Sequence, residues 1–264
     1  MDRALDGERK TLAQTDEKDG CCWKLTTVLN APVFLSVVLP CRDQAGHIAA
    51  VLEKYEAPLD AIGRSYELVV VPNACADDTP AIVSRLAEGN PRLRVVANPA
   101  GGWGLSVLTG LAAARGEVLC YTNSARTDPA HIPALLAEYE KHAPCLAKVR
   151  REKRGVVLRE LGSWLYNLEA RWLYAIPVRD VNGTPKIMPR SLYEKLGLFS
   201  PGDLLDLELL AKVARLGLPV VEMPVAGFRR HGGKSSTNLK SAWKMYLGAL
   251  QLRQTLRHFE VRKT

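Results

Sequence analysis

The stretch from Arg94 to Ile132 constrains this chain most. It reads RVVANPAGGWGLSVLTGLAAARGEVLCYTNSARTDPAHI. A β-rich run, RVVAN, leads into a glycine turn, Gly101-Gly102-Trp103-Gly104. Apolar residues then recur at Leu105, Leu108 and Leu111/Ala112, the spacing of three and four that a helix face requires, which predicts a helix over 105–114. Arg115-Gly116 stops it. A second apolar run, Glu117 to Thr122, ends in the polar turn Asn123-Ser124. This is a β-turn-α-β unit. Ligands of open α/β sheets bind outside the carboxyl ends of such strands, so the turns at 98–104 and 122–128 should flank a site.

The same alternation runs through the rest of the chain. FLSVVLP (34–40) is a continuous apolar strand, followed by the polar turn Cys41-Arg42-Asp43-Gln44 and a helix over 45–57. A second strand (67–71) meets the turn 72–78, and Thr79 caps a helix with Pro80 in its first turn. Asp128-Pro129 reads as the N-cap and first residue of another helix. A short strand (145–149) runs into Arg150-Arg151-Glu152-Lys153-Arg154. Helices are expected over 158–175 and 204–215, a loop or short strand with two prolines over 180–190, and a strand over 219–225. A polar loop (229–237) and a last helix (238–259) finish the chain. Strands alternating with helices predict a largely parallel sheet covered on both faces.

With 264 residues, 47% hydrophobic, the chain suits a single α/β domain. Residues 1–30 are charge-dense at first and read as a loosely held or disordered arm. Residues 31–237 read as the domain and 238–264 as a basic terminal helix. No apolar run is long enough to span a bilayer, and the start lacks the pattern of a signal peptide. Six scattered cysteines show no CxxC pair or metal-ligand spacing, which predicts reduced, mostly buried thiols and a cytoplasmic protein. The net charge of +8 is all carried from Ala226 onward, by nine Lys/Arg against Glu260. In the last helix Leu239, Trp243, Tyr246, Leu247 and Leu250 form an apolar stripe into which Arg253 and Arg257 rotate. That pattern is compatible with peripheral contact to an anionic membrane, with packing on the chain's own domain, or with a homodimer. No nucleic-acid partner is expected.

A dinucleotide fold is excluded, because Val107 replaces the third glycine after Gly102 and Gly104 and no acid ends the next strand. Five blocks instead resemble a family 2 glycosyltransferase with a GT-A fold, of the dolichyl-phosphate mannose/glucose synthase type. They are SVVLPCRDQAGHI (36–48), ELVVVPNACADDT (67–79), GWGLSVLTGLAAARGEVL (102–119), DVNGTPKIMPR (180–190) and LLDLELLAKVARLGLPVVEMPV (204–225). RRHGGKSST (229–237) is similar to the family's basic loop over the donor. The resemblance implies a nucleotide-sugar donor and an acceptor that is a lipid phosphate or a small-molecule hydroxyl. It implies direct displacement with inversion, with Asp206 as base or positioning group.

The departures fall on carboxylates. Thr122-Asn123-Ser124 stands where the family has its metal-holding Asp-x-Asp, Pro72-Asn73 replaces an Asp pair, Gln44-Ala45 replaces glutamates, and Trp103 replaces a lysine. Hard cations need anionic oxygens, so the expectation is a transferase without a metal or other cofactor. Its donor charge would fall to cations: Arg150 and Arg229 as catalytic groups, helped by Arg151, Arg230 and Lys234, with the helix N-terminus behind Gly102 and Gly104. The turns 40–44, 72–77 and 122–124 should form one nucleotide pocket, with Pro40, Arg42, Asp43, Asn73, Asp77, Thr122, Asn123 and Ser124 binding substrate. Asp180, Asn182, Lys186, Glu208, His231 and Ser235 complete the expected binding set. A catalytically inactive homologue that binds a nucleotide sugar, lipid or protein is the alternative reading.

Overall fold

The computed structural model describes residues 32–125, 127–152, 157–226 and 239–257, with the side chains of 157–161 and 239–244 excluded. Strands β1 (Leu35–Cys41), β2 (Tyr66–Pro72), β3 (Leu93–Val95) and β4 (Val118–Tyr121) alternate with helices α1 (Ile48–Asp60), α2 (Thr79–Glu88) and α3 (Trp103–Ala113). Helix α4 (His131–His142), strand β5 (Leu146–Arg151), helix α5 (Val157–Tyr174), strand β6 (Lys186–Pro189) and helix α6 (Arg190–Leu196) follow. Helix α7 (Leu205–Arg215), strand β7 (Val220–Val225) and helix α8 (Leu239–Leu256) complete the described chain. The seven strands form one sheet in the order β3-β2-β1-β4-β6-β5-β7.

Continuous apolar runs become central strands here because both sheet faces are covered. All seven residues of β1 and of β2 are buried. Side chains alternate between faces. Leu35, Val37 and Leu39 join α1, α2 and α4 in one core, while Val38, Val69, Val71, Leu119 and Tyr121 join α3, α5, α7 and α8 in the other. Helix α3 lies close on the sheet because Gly110 has no side chain. A Cβ there would sit 2.2 Å from Val38 Cγ1.

The sheet is largely parallel, as expected, and only the reading of the last helix changes. Strand β6 runs antiparallel to both β4 and β5, within an otherwise parallel sheet. Residues 180–190 were expected as loop or short strand, and 190–196 form a helix with no expectation behind it. The stripe read in the last helix mixes two faces. Ala249, Leu252 and Leu256 are buried, with Met245 and Tyr246 packed beside them, and Leu247 and Leu250 are exposed.

Glu67 staples the amino-terminal edge of the sheet, opposite the ligand edge. Its carboxylate accepts hydrogen bonds from Ser36 Oγ at 2.7 Å and Arg115 N at 2.6 Å, and pairs with Arg94 and Arg115. Burial alone would raise its pKa, but these donors together hold it below its usual 4.5. A depressed carboxylate pKa stabilises the fold above the unfolded value, and that contribution is lost as pH falls through the folded value. Both arginines keep solvent contact, so Glu67→Gln should cost only about 2 kcal/mol at pH 7. The gap from wild type should close as pH drops below 4.5, which chemical denaturation across pH would record.

Candidate active site

Three turns at the carboxyl edge are bonded into one cradle. After β1 and β2, Asn73 N donates to Cys41 O (2.8 Å), Ala45 N to Asp77 Oδ2 (2.8 Å) and Ala76 N to Asp43 Oδ1 (2.7 Å). Gln44 Nε2 donates to Ser124 Oγ (2.9 Å), and Ser124 Oγ donates to Pro40 O (2.9 Å), so the turn after β4 joins them. Burial would raise the Asp77 pKa, but the Thr79 hydroxyl and the amides of Ala45 and Thr79 outweigh it and lower the pKa. Asp43 and Ala74 sit at positive φ, 49° and 44°. Left-handed backbone costs a residue with a Cβ about 1–2 kcal/mol, so the cradle holds these turns against local preference.

The cradle separates the expected binding residues by exposure. Thr122 and Ser124 are buried and engaged with Thr127, Gln44 and Pro40. Of that triplet, Asn123 is the partly exposed member. Arg42 and Asp43 are exposed, and Asn73 is half-buried with its carboxamide oxygen unpartnered among the described residues. Gly102 and Gly104 provide clearance for protein rather than for a ligand. A Cβ on Gly104 would sit 2.2 Å from Ser200 O, one on Gly102 would sit 2.8 Å from Pro201 O, and Leu105 N donates to Pro201 O.

Behind the cradle lies a buried charge network. Lys148 on β5 and Lys186 on β6 are register partners, and both side chains are fully buried. Lys186 Nζ pairs with Asp206 Oδ1 on α7, and Tyr121 Oη donates to the same oxygen at 2.7 Å. Tyr121 ends β4, so Asp206 is tied to the residue that precedes Thr122. Lys148 Nζ pairs with Glu222 at 3.1 Å and donates to the carbonyls of Val149 and Asp180. Arg151 grips Asp180 through two nitrogens, at 2.8 and 2.9 Å. Asn182 leaves a buried carboxamide oxygen without a partner among the described residues.

Several expected roles shift with this geometry. Arg151, Asp180 and Lys186 are committed to one another's elements or to Asp206, not held out for a ligand. Glu208, expected to bind substrate, is fully buried; it pairs with Lys212 and accepts from Phe199 N and Ser200 N, bracing the loop against Gly102 and Gly104. Arg150 reaches Glu152 at 3.2 Å. Arg229, Arg230, His231, Lys234 and Ser235 lie outside the described residues. Tyr121, Lys148 and Glu222 carry the network without having been singled out. The signal for Lys148 was present: a lysine within the apolar run Cys145–Val149 has no water on either face of an inner strand.

The family model described as glycosyl transferase family 2 matches residues 36–197, and the chain belongs to that family. An uncharacterized glycosyltransferase of Mycobacterium tuberculosis is 29% identical over 208 residues, 77% of this chain and 89% of that one. An undecaprenyl-phosphate 4-deoxy-4-formamido-L-arabinose transferase of Pseudomonas aeruginosa is 24% identical over 166 residues, 62% of this chain and 49% of that one. The crystal structure of glucosyl-3-phosphoglycerate synthase from Mycobacterium tuberculosis with Mn2+, UDP and glucosyl-3-phosphoglycerate superposes with a TM-score of 0.63 at 22% identity, covering 90% of this chain and 86% of that one. It shares the GT-A fold.

The expectation of a site without a divalent metal is corrected by two findings. That similar structure holds Mn2+ with UDP. Here Asp43, Cys75 and Asp77 bring one ligand atom each within 4.8 Å of one another in the cradle. These carboxylates come from the turns after β1 and β2, at Asp43 and Asp77 beside the replaced positions 44–45 and 72–73, and not from the turn after β4. The two carboxylates suit a hard cation. The thiol is a softer ligand, so the oxygens fit Mg2+ or Mn2+ better than the full trio does.

Lys148 carries a pH signature. Burial, reinforced by the neighbouring Lys186 charge, lowers its pKa from 10.5 to about 8. Between those values the unfolded chain binds more protons than the folded one, so stability from this group rises with pH. Relative to Lys148→Met, wild type should gain about 2 kcal/mol between pH 8 and pH 10, read from denaturant unfolding.

Proposed function

We propose that this transferase binds a nucleoside-diphosphate sugar in the cradle and passes the sugar to an acceptor held near Asp206. The observation that carries the reading is the hydrogen bonding of three turns into one cradle, with Asp206 tied to the end of β4 through Tyr121. The partly exposed Asn73 and Asn123 would bond the base or ribose. The acceptor oxygen forms a bond to the anomeric carbon as the bond to the diphosphate oxygen breaks, a single displacement with inversion. Asp206 Oδ1 is occupied by Lys186 and Tyr121. Its other oxygen would take the proton of a hydroxyl acceptor. An acceptor phosphate is already an anion and needs only to be positioned.

Asp43 and Asp77 are the residues that would hold a divalent cation beside the diphosphate. Bound there, the cation would supply charge stabilisation to the leaving group. Arg42 lies on the same exposed rim and Arg150 at the end of β5. The expected result is a rise in melting temperature with a UDP- or GDP-sugar plus Mn2+, lost in Asp43→Asn. Asp206→Asn should lower kcat by about a hundredfold or more if a hydroxyl is attacked, while leaving the donor-induced melting shift in place. A donor shift without turnover on lipid-phosphate or hydroxyl acceptors would mark a binding module instead. No shift with any nucleotide sugar would remove the reading.

A further inference from the structure

Helices α5 and α8 leave a large apolar face uncovered. Trp164, Leu165, Leu168 and Trp172 fall within one wedge of α5, since positions i, i+1, i+4 and i+8 share a side of a helix. They are 54%, 44%, 43% and 80% exposed. Leu247 and Leu250 add a second exposed row on α8, at 47% and 48%. Between the helices runs a groove of about 670 Å³, lined by Leu165, Leu168, Glu169, Trp172 and Tyr246. Tyr246 fixes the pair, donating to Gly162 O at 2.8 Å and meeting the Tyr166 ring edge-on. The face is therefore a rigid part of the fold.

We infer that this face seats the protein on the surface of an anionic lipid bilayer. A tryptophan exposed to 80% exposes costly apolar area in water, and its ring suits the boundary between headgroups and acyl chains. The charge at the end of α8 complements anionic lipid, and burial raises the pKa of Glu169, the acid that lines the groove. Arg253 and Arg257 are exposed at the end of α8, and α8 has no acidic residue along its length. Among the described residues no helix is long and apolar enough to cross a membrane, so contact is by lying on the surface. A second copy of the chain is a poorer occupant, because a twofold contact that pairs α8 with its own copy would bring together two basic helices with no acid on either. The inference stands apart from the catalytic reading, and its test uses no sugar donor.

The test is co-sedimentation of the full chain with vesicles of phosphatidylcholine alone and of phosphatidylcholine with phosphatidylglycerol. Binding to the anionic vesicles is expected, with a blue shift of tryptophan emission. Trp164→Ser/Trp172→Ser should weaken it tenfold or more without changing the circular dichroism spectrum. Arg253→Glu/Arg257→Glu should weaken it on anionic vesicles at low salt and erase most of its salt dependence. Equal binding by the tryptophan variant, or no binding by wild type, would overturn the inference. So would a dimer in light scattering that the tryptophan substitutions dissociate, since the face would then be a contact between copies.

Discussion

Two lysines set side by side in the middle of a sheet govern the architecture around the site. Lys148 and Lys186 face each other across β5 and β6 with no exposed surface. Each buried ion costs several kcal/mol to desolvate, and their like charges add to that cost. The fold answers with two carboxylates, Asp206 from α7 and Glu222 from β7, and with the backbone carbonyl of Asp180 from the loop before β6. Those pairings fix where α7 begins and how the 180–185 loop lies. They therefore place Asp206 beside the end of β4. A purely apolar pair would leave only the Tyr121 hydroxyl to orient the acid.

The glycine turn serves the same end. Its clearance admits the backbone of Ser200, Pro201 and Gly202. That loop leads into α7, and Glu208 holds its other side through the amides of Phe199 and Ser200. The turn at 101–104 and the acid on α7 are thus coupled through backbone contact. A feature that reads as a phosphate cradle in sequence is, in three dimensions, a socket for another loop. The divalent-metal question turned in a similar way. Neutral residues after β4 do not decide it, because Asp43 and Asp77 approach each other from two other strand ends.

Much of the fold was legible from the chain. The fully buried runs of β1 and β2, the helical spacing after the glycine turn, and the polar turns at strand ends locate the sheet and its ligand edge. These signals are local: period two, period 3.6 and turn chemistry depend on neighbours within a few residues. That Asp206 and the turns 40–44, 72–77 and 122–124 gather at one edge was legible. Their division of labour was not. Thr122, Ser124, Glu208 and Lys186 look in sequence like polar groups available to a ligand, and each is buried against a protein partner.

The sequence by itself determined the class of the fold, which follows from patterns of burial along the chain, and the family, which follows from the resemblance of its motif blocks. Tertiary structure decided the reversed direction of β6, the pairing of Lys186 with Asp206 and the exposure of Trp172. Each depends on which distant segment lies alongside. Lys186 and Asp206 are 20 residues apart. Tyr121 and Asp206 are 85 apart. No periodicity within a single element encodes contacts at that range, and electrostatic satisfaction of a buried charge is known only once its neighbours are in place.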